Sequence, residues 1–343
     1  MLCAYDQPMR IRSLLAAAAI LIVLGPLPPR ALRFPVADHT LVATATAIPN
    51  HAAQRRIGRL EVLEAWRLTS PHSGFGGWSA LALTAPRRFL LVSDSGWTAR
   101  FALGATGTVE ALRIEPLPRT RGITKSRRDV ESVAIAPNGD VVAGFENTNK
   151  LRRYDAALTR VLGAAKPTAM ADWPGNAGPE AMTRLADGRW LVIAEGPRSG
   201  KGRSHAVVFD RVPSDPAAHE TRFDYDSEGK GAVTDVATLR DGRVVIVHRR
   251  FRLPFGFTST IAIADPRRIS TQHDWSSETI GVIDRAPLSD NFEGIAIDPD
   301  PACGCVWVIS DDNQSSWQST ILLKLRLPPL KPAGESQAQK RRR

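Results

Sequence analysis

The 343-residue chain has only three cysteines and three tyrosines, aromatic residues make up 6% of it, and no apolar run is long enough for a membrane-spanning helix. Each shortage excludes something. Cys3 sits in the first thirty residues, which leaves Cys303 and Cys305 flanking Gly304. A lone Cys-x-Cys is not a zinc site, and without a Cys-x-x-Cys pair there is no thioredoxin-type centre. A bridge across one residue is a strained closure, so these two are expected as thiols without a catalytic role. Gly-x-Ser-x-Gly, Walker and His-Glu-x-x-His signatures are also missing, which removes the local marks of serine hydrolases, NTPases and zinc proteases.

The basic excess is thin. Formal net charge is +10, but residues 331–343 carry five basic residues against one acid, and residues 1–30 carry three against one. The body of the chain keeps little of the surplus, and nucleic-acid binding needs basic charge gathered on one surface, so no nucleic-acid partner is expected.

What the chain does have is a repeat. Five times an apolar strand opens on a small or acidic residue, turns, and returns as a second apolar strand. The first strands begin at Ser79, Glu131, Glu180, Asp235 and Glu293. The second end at Asp94, Glu146, Glu195, His248 and Asp311. Between them lie turn sequences such as Pro137-Asn138-Gly139-Asp140 and Arg240-Asp241-Gly242, whose Asn-Gly and Asp-Gly steps supply the positive φ of tight hairpins. A period near fifty suits a four-stranded propeller blade. The fold expected is an all-β, single β-propeller of about five four-stranded blades, a sixth requiring residues read as loops. The apolar strand Ile57 to Leu68, which precedes the first copy, is expected to complete the last blade and remove its free edges.

Antiparallel pairing puts the opening and closing residues of each hairpin at one end of the blade, so the five copies are expected to bring two rings of acids to one mouth of the central channel. Hard cations take about 6 to 8 oxygen ligands. Glu131, Glu146, Glu180, Glu195, Asp235, Glu293 and Asp311 are the candidate ligands of a calcium-type divalent cation. Asp312 and His248 are the candidate catalytic groups, His248 because imidazole titrates near working pH. Arg128, Lys150, Arg249 and Arg250, with Arg198, Lys201 and Arg203 in a Gly-rich loop, are candidates for holding an anionic or ester substrate.

Arg128-Asp129-Val130-Glu131-Ser132-Val133-Ala134, Gly178-Pro179-Glu180-Ala181-Met182, and Asp290-Asn291-Phe292-Glu293-Gly294-Ile295-Ala296 followed by Ser310-Asp311-Asp312-Asn313 resemble the phytase-like propeller family, the bacterial group described as having esterase-like activity of phytase. The resemblance runs from about Ile57 to Leu327. It implies a β-propeller, often exported, with hydrolytic activity toward phosphate or other esters; the acid ring adds that this hydrolysis is metal-assisted. The chain departs from the family pattern at Val247-His248-Arg249-Arg250-Phe251, where an acid is expected in place of His248, and at Ser132, where glycine is usual. The competing readings are a non-catalytic propeller that binds a ligand or partner, and a metal-dependent lactonase-like propeller.

Arg10 and Arg12 precede the apolar segment Leu14 to Leu24, which is shorter than the roughly 20 residues of a spanning helix. Residues 1–30 therefore read as an export signal, with an uncleaved anchor as the alternative, and imply a periplasmic or extracellular protein with no further membrane domain. Residues 31–56 read as a linker, 57–328 as the propeller and 329–343 as a basic disordered tail. A closed propeller exposes few edges, so a monomer is expected.

Overall fold

The strands gather into five small sheets, each an antiparallel meander running outward from an inner strand. The computed structural model describes residues 37–49, 55–196, 202–227, 229–252 and 256–329. The segment read as an export signal, residues 330–343 of the tail, and Arg198 and Lys201 lie outside the described residues.

Blade 1 consists of Trp78–Ala85, Arg88–Ser93, Trp97–Leu103 and Val109–Pro116. Blade 2 consists of Val130–Ile135, Val141–Phe145, Lys150–Tyr154 and Val161–Ala165. Blade 3 is Pro179–Arg184, Trp190–Ala194, Arg203–Phe209 and Glu220–Asp226, extended by the short parallel strand Trp275–Ser276. Blade 4 is Ala232–Thr238, Val244–Arg252, Gly256–Ala264 and Glu278–Ile283. Blade 5 runs Asn291–Ile297, Cys305–Asp311 and Thr320–Arg326, and its next strand is Leu60–Thr69 from the other end of the chain. The expected closure is thus present. Thr44–Ala47 also pairs with Leu60–Thr69, so the sheet reaches into the segment read as linker.

Inner strands touch their neighbours in the order 1-2-3-4-5 and back to 1. The reason the ring holds is that each seam has its own apolar core. Leu90, Val92, Val133 and Phe145 fill the seam between blades 1 and 2, and Val142, Leu151, Met182 and Trp190 that between 2 and 3. Leu191, Ile193, Val236 and Ile246 fill the next. Blades 4 and 5 meet through Val245, Ile261, Val306 and Leu323. Blade 5 meets blade 1 through Trp307 and Phe89, whose rings lie edge to face at 5.0 Å. Strands buried on both faces need apolar residues at every position, which is why Leu90-Leu91-Val92 and Val244-Val245-Ile246-Val247 read as unbroken runs.

Hydroxyl groups add polar stitches across the seams, and those of Thr183 and Thr238 meet at 3.0 Å between blades 3 and 4. Ser79 donates to the Val130 carbonyl, Ser132 to that of Pro179 and Thr234 to that of Phe292. Cys303 and Cys305 form a disulfide, with Cα atoms 5.1 Å apart, within the span such bridges use. That corrects the expectation of free thiols: the hairpin turn at Gly304, with φ of +58°, brings the two sulfurs together.

The closing strand is where a backbone change does most harm. Ala65 pairs with Leu323, and its carbonyl accepts from the Ile48 amide. Ala65→Pro inserts a ring and removes a donor inside a sheet, and should cost about 3 kcal/mol. A lower urea midpoint with unchanged slope is the expected outcome, and an unaltered midpoint would show that this strand does not close the ring.

Candidate metal centre at the mouth of the channel

In every inner strand the pairing skips one residue at the same depth. The skipped residues are Ser79, Glu131, Glu180, Thr234 and Glu293. A β-bulge of this kind leaves the extra residue out of the ladder and re-aims its side chain. The second strands end beside them at Asp94, Glu146, Glu195, Arg249 and Asp311. Asp94 donates its amide to Gly77 and Glu146 to Asp129, Arg249 lies opposite Ala232, and Asp311 opposite Asn291.

Blade 4 therefore differs by one residue on both strands from the ring membership read in the sequence. Asp235 and His248 leave the rings, and Thr234 and Arg249 take their places. Asp235 is 1% exposed; its two oxygens accept from the amides of Val236 at 2.8 Å and Ile295 at 2.7 Å, which fastens blade 4 to blade 5. His248 is wholly buried, its Nε2 2.8 Å from the Tyr225 hydroxyl and its Nδ1 3.3 Å from the Thr260 carbonyl. The Tyr225 hydroxyl also meets that of Ser277. Asp312 is likewise committed. Its carboxylate accepts from the amides of Gly77 and Gln314 and from the Thr320 hydroxyl. Gly76, at φ +113°, has no room for a Cβ against that carboxylate.

The remaining acids converge. One oxygen from each of Asp129, Glu131 and Glu146 lies within 4.8 Å of the others, and the same holds for Glu146, Glu180 and Glu195. Glu146 belongs to both groups, so five carboxylates of blades 2 and 3 form one continuous patch. On the far side Arg249 reaches Glu195 at 3.0 Å and also binds Glu293, and Asn291 accepts from Arg249 and donates to Glu293. Asp94 is held by Lys125 at 2.7 Å. Asp129 and Lys125 were not among the candidates read from the sequence. The spacing Asp129-x-Glu131 beside a bulge is the one signal that would have found Asp129. Lys125 belongs to a short helix, Lys125–Arg128, outside the repeat.

The electrostatics follow from this crowding. Burial, then the charges of Glu180, Glu293, Asp129 and Glu146, push the Glu131 carboxyl well above its ordinary range. Burial, Glu195 and Glu146 do the same to Glu180, against the pull of Arg249. Burial and Glu293 push Asp311 up to about 9. Burial alone would pull the Arg249 guanidinium down, but Glu293, Glu195, Glu180 and Glu131 together push it up. Glu180 is the clearest case: it is 8% exposed, and one of its oxygens lies within 4.8 Å of one from each of Glu146 and Glu195. Carboxylates crowded this closely and largely withdrawn from water are costly to ionise unless a cation offsets their charge. The donor set is all carboxylate oxygen, which fits hard cations such as calcium and not zinc or copper.

The basic candidates divide. Arg249 stands in the ring, and Arg250, next along the strand, faces the other way. Arg128 ends its helix with Nε buried and without an acceptor among the described residues. Lys150 begins the third strand of blade 2, opposite Phe145. Arg203 is paired with Asp274 at 2.9 Å.

Fold and site together define a five-bladed β-propeller with an acidic axial mouth. The chain belongs to the phytase-like family, described as esterase-like activity of phytase, whose model matches residues 73–314. No curated protein matches. Solved propellers resemble it only loosely. The PQQ-bound aldose sugar dehydrogenase from Streptomyces coelicolor is 12% identical, with 78% of this chain and 98% of that one covered at a TM-score of 0.45. A luciferin-regenerating enzyme is 12% identical, with coverage of 76% and 80% and a TM-score of 0.43. Virginiamycin B lyase from Staphylococcus aureus is 11% identical, with coverage of 76% and 69% and a TM-score of 0.39. At such scores the likeness says nothing of this chain's chemistry.

His248 gives the fold an acid sensitivity separate from the mouth. Burial pulls its pKa down to about 3 from the ordinary 6.5. The unfolded chain gains that proton near 6.5 while the folded one does not. The contribution is therefore whole above pH 6.5 and is lost as pH falls toward 3. Between pH 6.5 and 4.5 wild type should lose about 2 kcal/mol more than His248→Gln, which does not titrate. Urea unfolding of both proteins at the two pH values checks this, and equal losses would refute it.

Proposed function

We propose that this protein is a cation-dependent hydrolase of phosphate or other esters, acting at the acidic mouth. The observation that carries the reading is the convergence of five carboxylates from two blades, with oxygens of Glu146, Glu180 and Glu195 within 4.8 Å of one another. Asp129, Glu131, Glu146, Glu180 and Glu195 would hold a calcium-type cation. When bound, such an ion neutralises the carboxylates, polarises a phosphoryl or carbonyl oxygen and lowers the pKa of water.

The chain's own residues do the rest. Arg249 keeps Glu195 and Glu293 apart from each other's charge and presents a guanidinium to an anionic substrate from the side of blade 4. Lys125 supplies a second cation above Asp94. Glu293 and Asp311 stand beside the patch on blade 5, Asp311 fixed by the Asn313 amide at 2.6 Å. The family description supports ester hydrolysis as the class of reaction. The reading also places the protein outside the cytoplasm, carried by residues 1–30 and acting as a monomer. The Cys303–Cys305 disulfide is of the kind an oxidising compartment permits.

Bound calcium, and hydrolysis of aryl phosphate and aryl acetate with and without chelator, are the measurements that decide. Wild type should bind the ion and lose turnover in chelator. Glu180→Gln should weaken calcium at least tenfold and turnover about a hundredfold, yet raise the melting temperature of the chelated protein, because one of the crowded charges is gone. Turnover indifferent to chelator would end the metal reading. An ion bound without turnover of any ester or lactone would make the mouth a binding site only.

A further inference from the structure

Blade 2 carries a second charged feature of opposite sign. Lys150, Arg152 and Tyr154 alternate along the strand Lys150–Tyr154 and so share one face. That face looks toward blade 1, since Tyr154 and Phe145 pack with Ala80, Leu90 and Val92. Continuing the Leu151–Ala165 pairing by one residue sets Lys150 across from Lys166. Like charges directly opposite on neighbouring strands destabilise a sheet. Arg152 is 9% exposed, with its guanidinium 4.5 Å above the Phe145 ring and Nη1 3.1 Å from the Tyr154 hydroxyl. A guanidinium has five N–H donors, and that contact uses one.

Arg119, in the connection from blade 1, completes the group. Its φ of +62° is unusual for a side chain of that size, and such backbone is retained where the surroundings fix it. Burial first, then the charges of Arg152, Lys166 and Arg119, pull the Lys150 ammonium down. Acids of the same blade are committed elsewhere. Asp140 pairs with Arg153, and Asp155 accepts from the amides of Thr159 and Arg160. Among the described residues no carboxylate pairs with any of the four cations.

We propose that Lys150, Arg152, Lys166 and Arg119 form an anion subsite for a tetrahedral oxyanion, phosphate or sulfate, on the flank of blade 2 beside the mouth. An oxyanion there removes the repulsion between Lys150 and Lys166 and takes up the unused donors of Arg152. Lys150 follows directly on the turn Glu146–Thr148 and Asn149, so the subsite and the acidic patch are joined by one short stretch of backbone. It rests on the hydrolase reading only in what it adds to it: the ester acted upon carries a second phosphate or sulfate group, held by these cations.

The test uses the full chain in chelator, titrated with inorganic phosphate and with sulfate at ionic strength matched by chloride. Saturable binding of phosphate, of sulfate, or of both is expected, with a rise in melting temperature that chloride does not give. Lys150→Gln and Lys166→Gln should each weaken it at least fivefold. In anion-free buffer Lys166→Gln should melt above wild type, because the opposed pair is relieved. Binding no different from chloride, or affinity unchanged in both variants, would overturn the subsite. With calcium restored, Lys166→Gln should raise KM for a bisphosphate ester while leaving KM for an aryl monophosphate and both kcat values alone; unchanged KM for the bisphosphate would overturn the link to the substrate. Loss of phosphate binding in the variants, with no ester turned over by wild type, would leave the subsite standing and defeat the hydrolase reading alone.

Discussion

The structure turns on one skipped residue per inner strand. In a regular ladder successive side chains alternate between the two seams, whose cores are apolar. A bulge at Ser79, Glu131, Glu180, Thr234 and Glu293 breaks that alternation at one depth: Glu131, Glu180 and Glu293 are re-aimed out of the ladder, while Ser79 and Thr234 give their hydroxyls to the neighbouring blade. Below the bulge the strands Val133-Ala134-Ile135 and Ile295-Ala296-Ile297 return to packing. Above it the chain has a platform for groups that no core would tolerate. The apolar seams supply the rigidity, and the bulges decide where polarity is admitted.

The platform is strained electrostatically. Two unit charges 4.8 Å apart repel by about 3 kcal/mol at an effective dielectric near 20. Five carboxylates on blades 2 and 3 cannot all be ionised without help, and the upward pressure on Glu131 and Glu180 is the measure of it. Arg249 pairs with Glu195 and Glu293 and acts on Glu180 only through its charge. A cation bound there, as proposed, would resolve this arrangement with the oxygen atoms already in place.

Much of this was legible in the sequence, and the part that was not has a definite cause. The blades, the closing strand and most of the acids follow from apolar runs, turn residues and a period near fifty. Ring membership in blade 4 did not follow, because Asp235 is an acid where acids recur, and its chemical type masks a register shifted by one. The hairpin glycines carry the register. Eight residues before Gly139, Gly188 and Gly242 stand Glu131, Glu180 and Thr234, and seven residues after them stand Glu146, Glu195 and Arg249. Counting from the turn assigns the rings, since two strands tied by one tight turn cannot slip. The bulge itself leaves no such mark: Val130-Glu131-Ser132 is compatible with an unbroken strand. The positions of Asp129 and Lys125 depend on how a connection folds over the mouth, which no periodicity encodes.

The departure of blade 4 is what gives the mouth a direction. A ring with five equivalent acid pairs would bind a cation on its axis and offer no preference to a substrate arriving from any side. Here Thr234 spends its hydroxyl on the seam with blade 5, and Arg249 brings a positive charge into the ring opposite blade 2. The closest crowding of acids lies on blades 2 and 3, while Arg249 neutralises Glu195 and Glu293 and Lys125 pairs with Asp94. Under the proposed function, an anionic ester entering such a mouth would meet the acid patch on one side and the Arg249 guanidinium on the other. A cation held by blades 2 and 3 would reverse the first charge, so that both would attract the substrate. The site's affinity for an anion would then be conditional on its metal, a consequence of the single blade whose two ring positions are not acids.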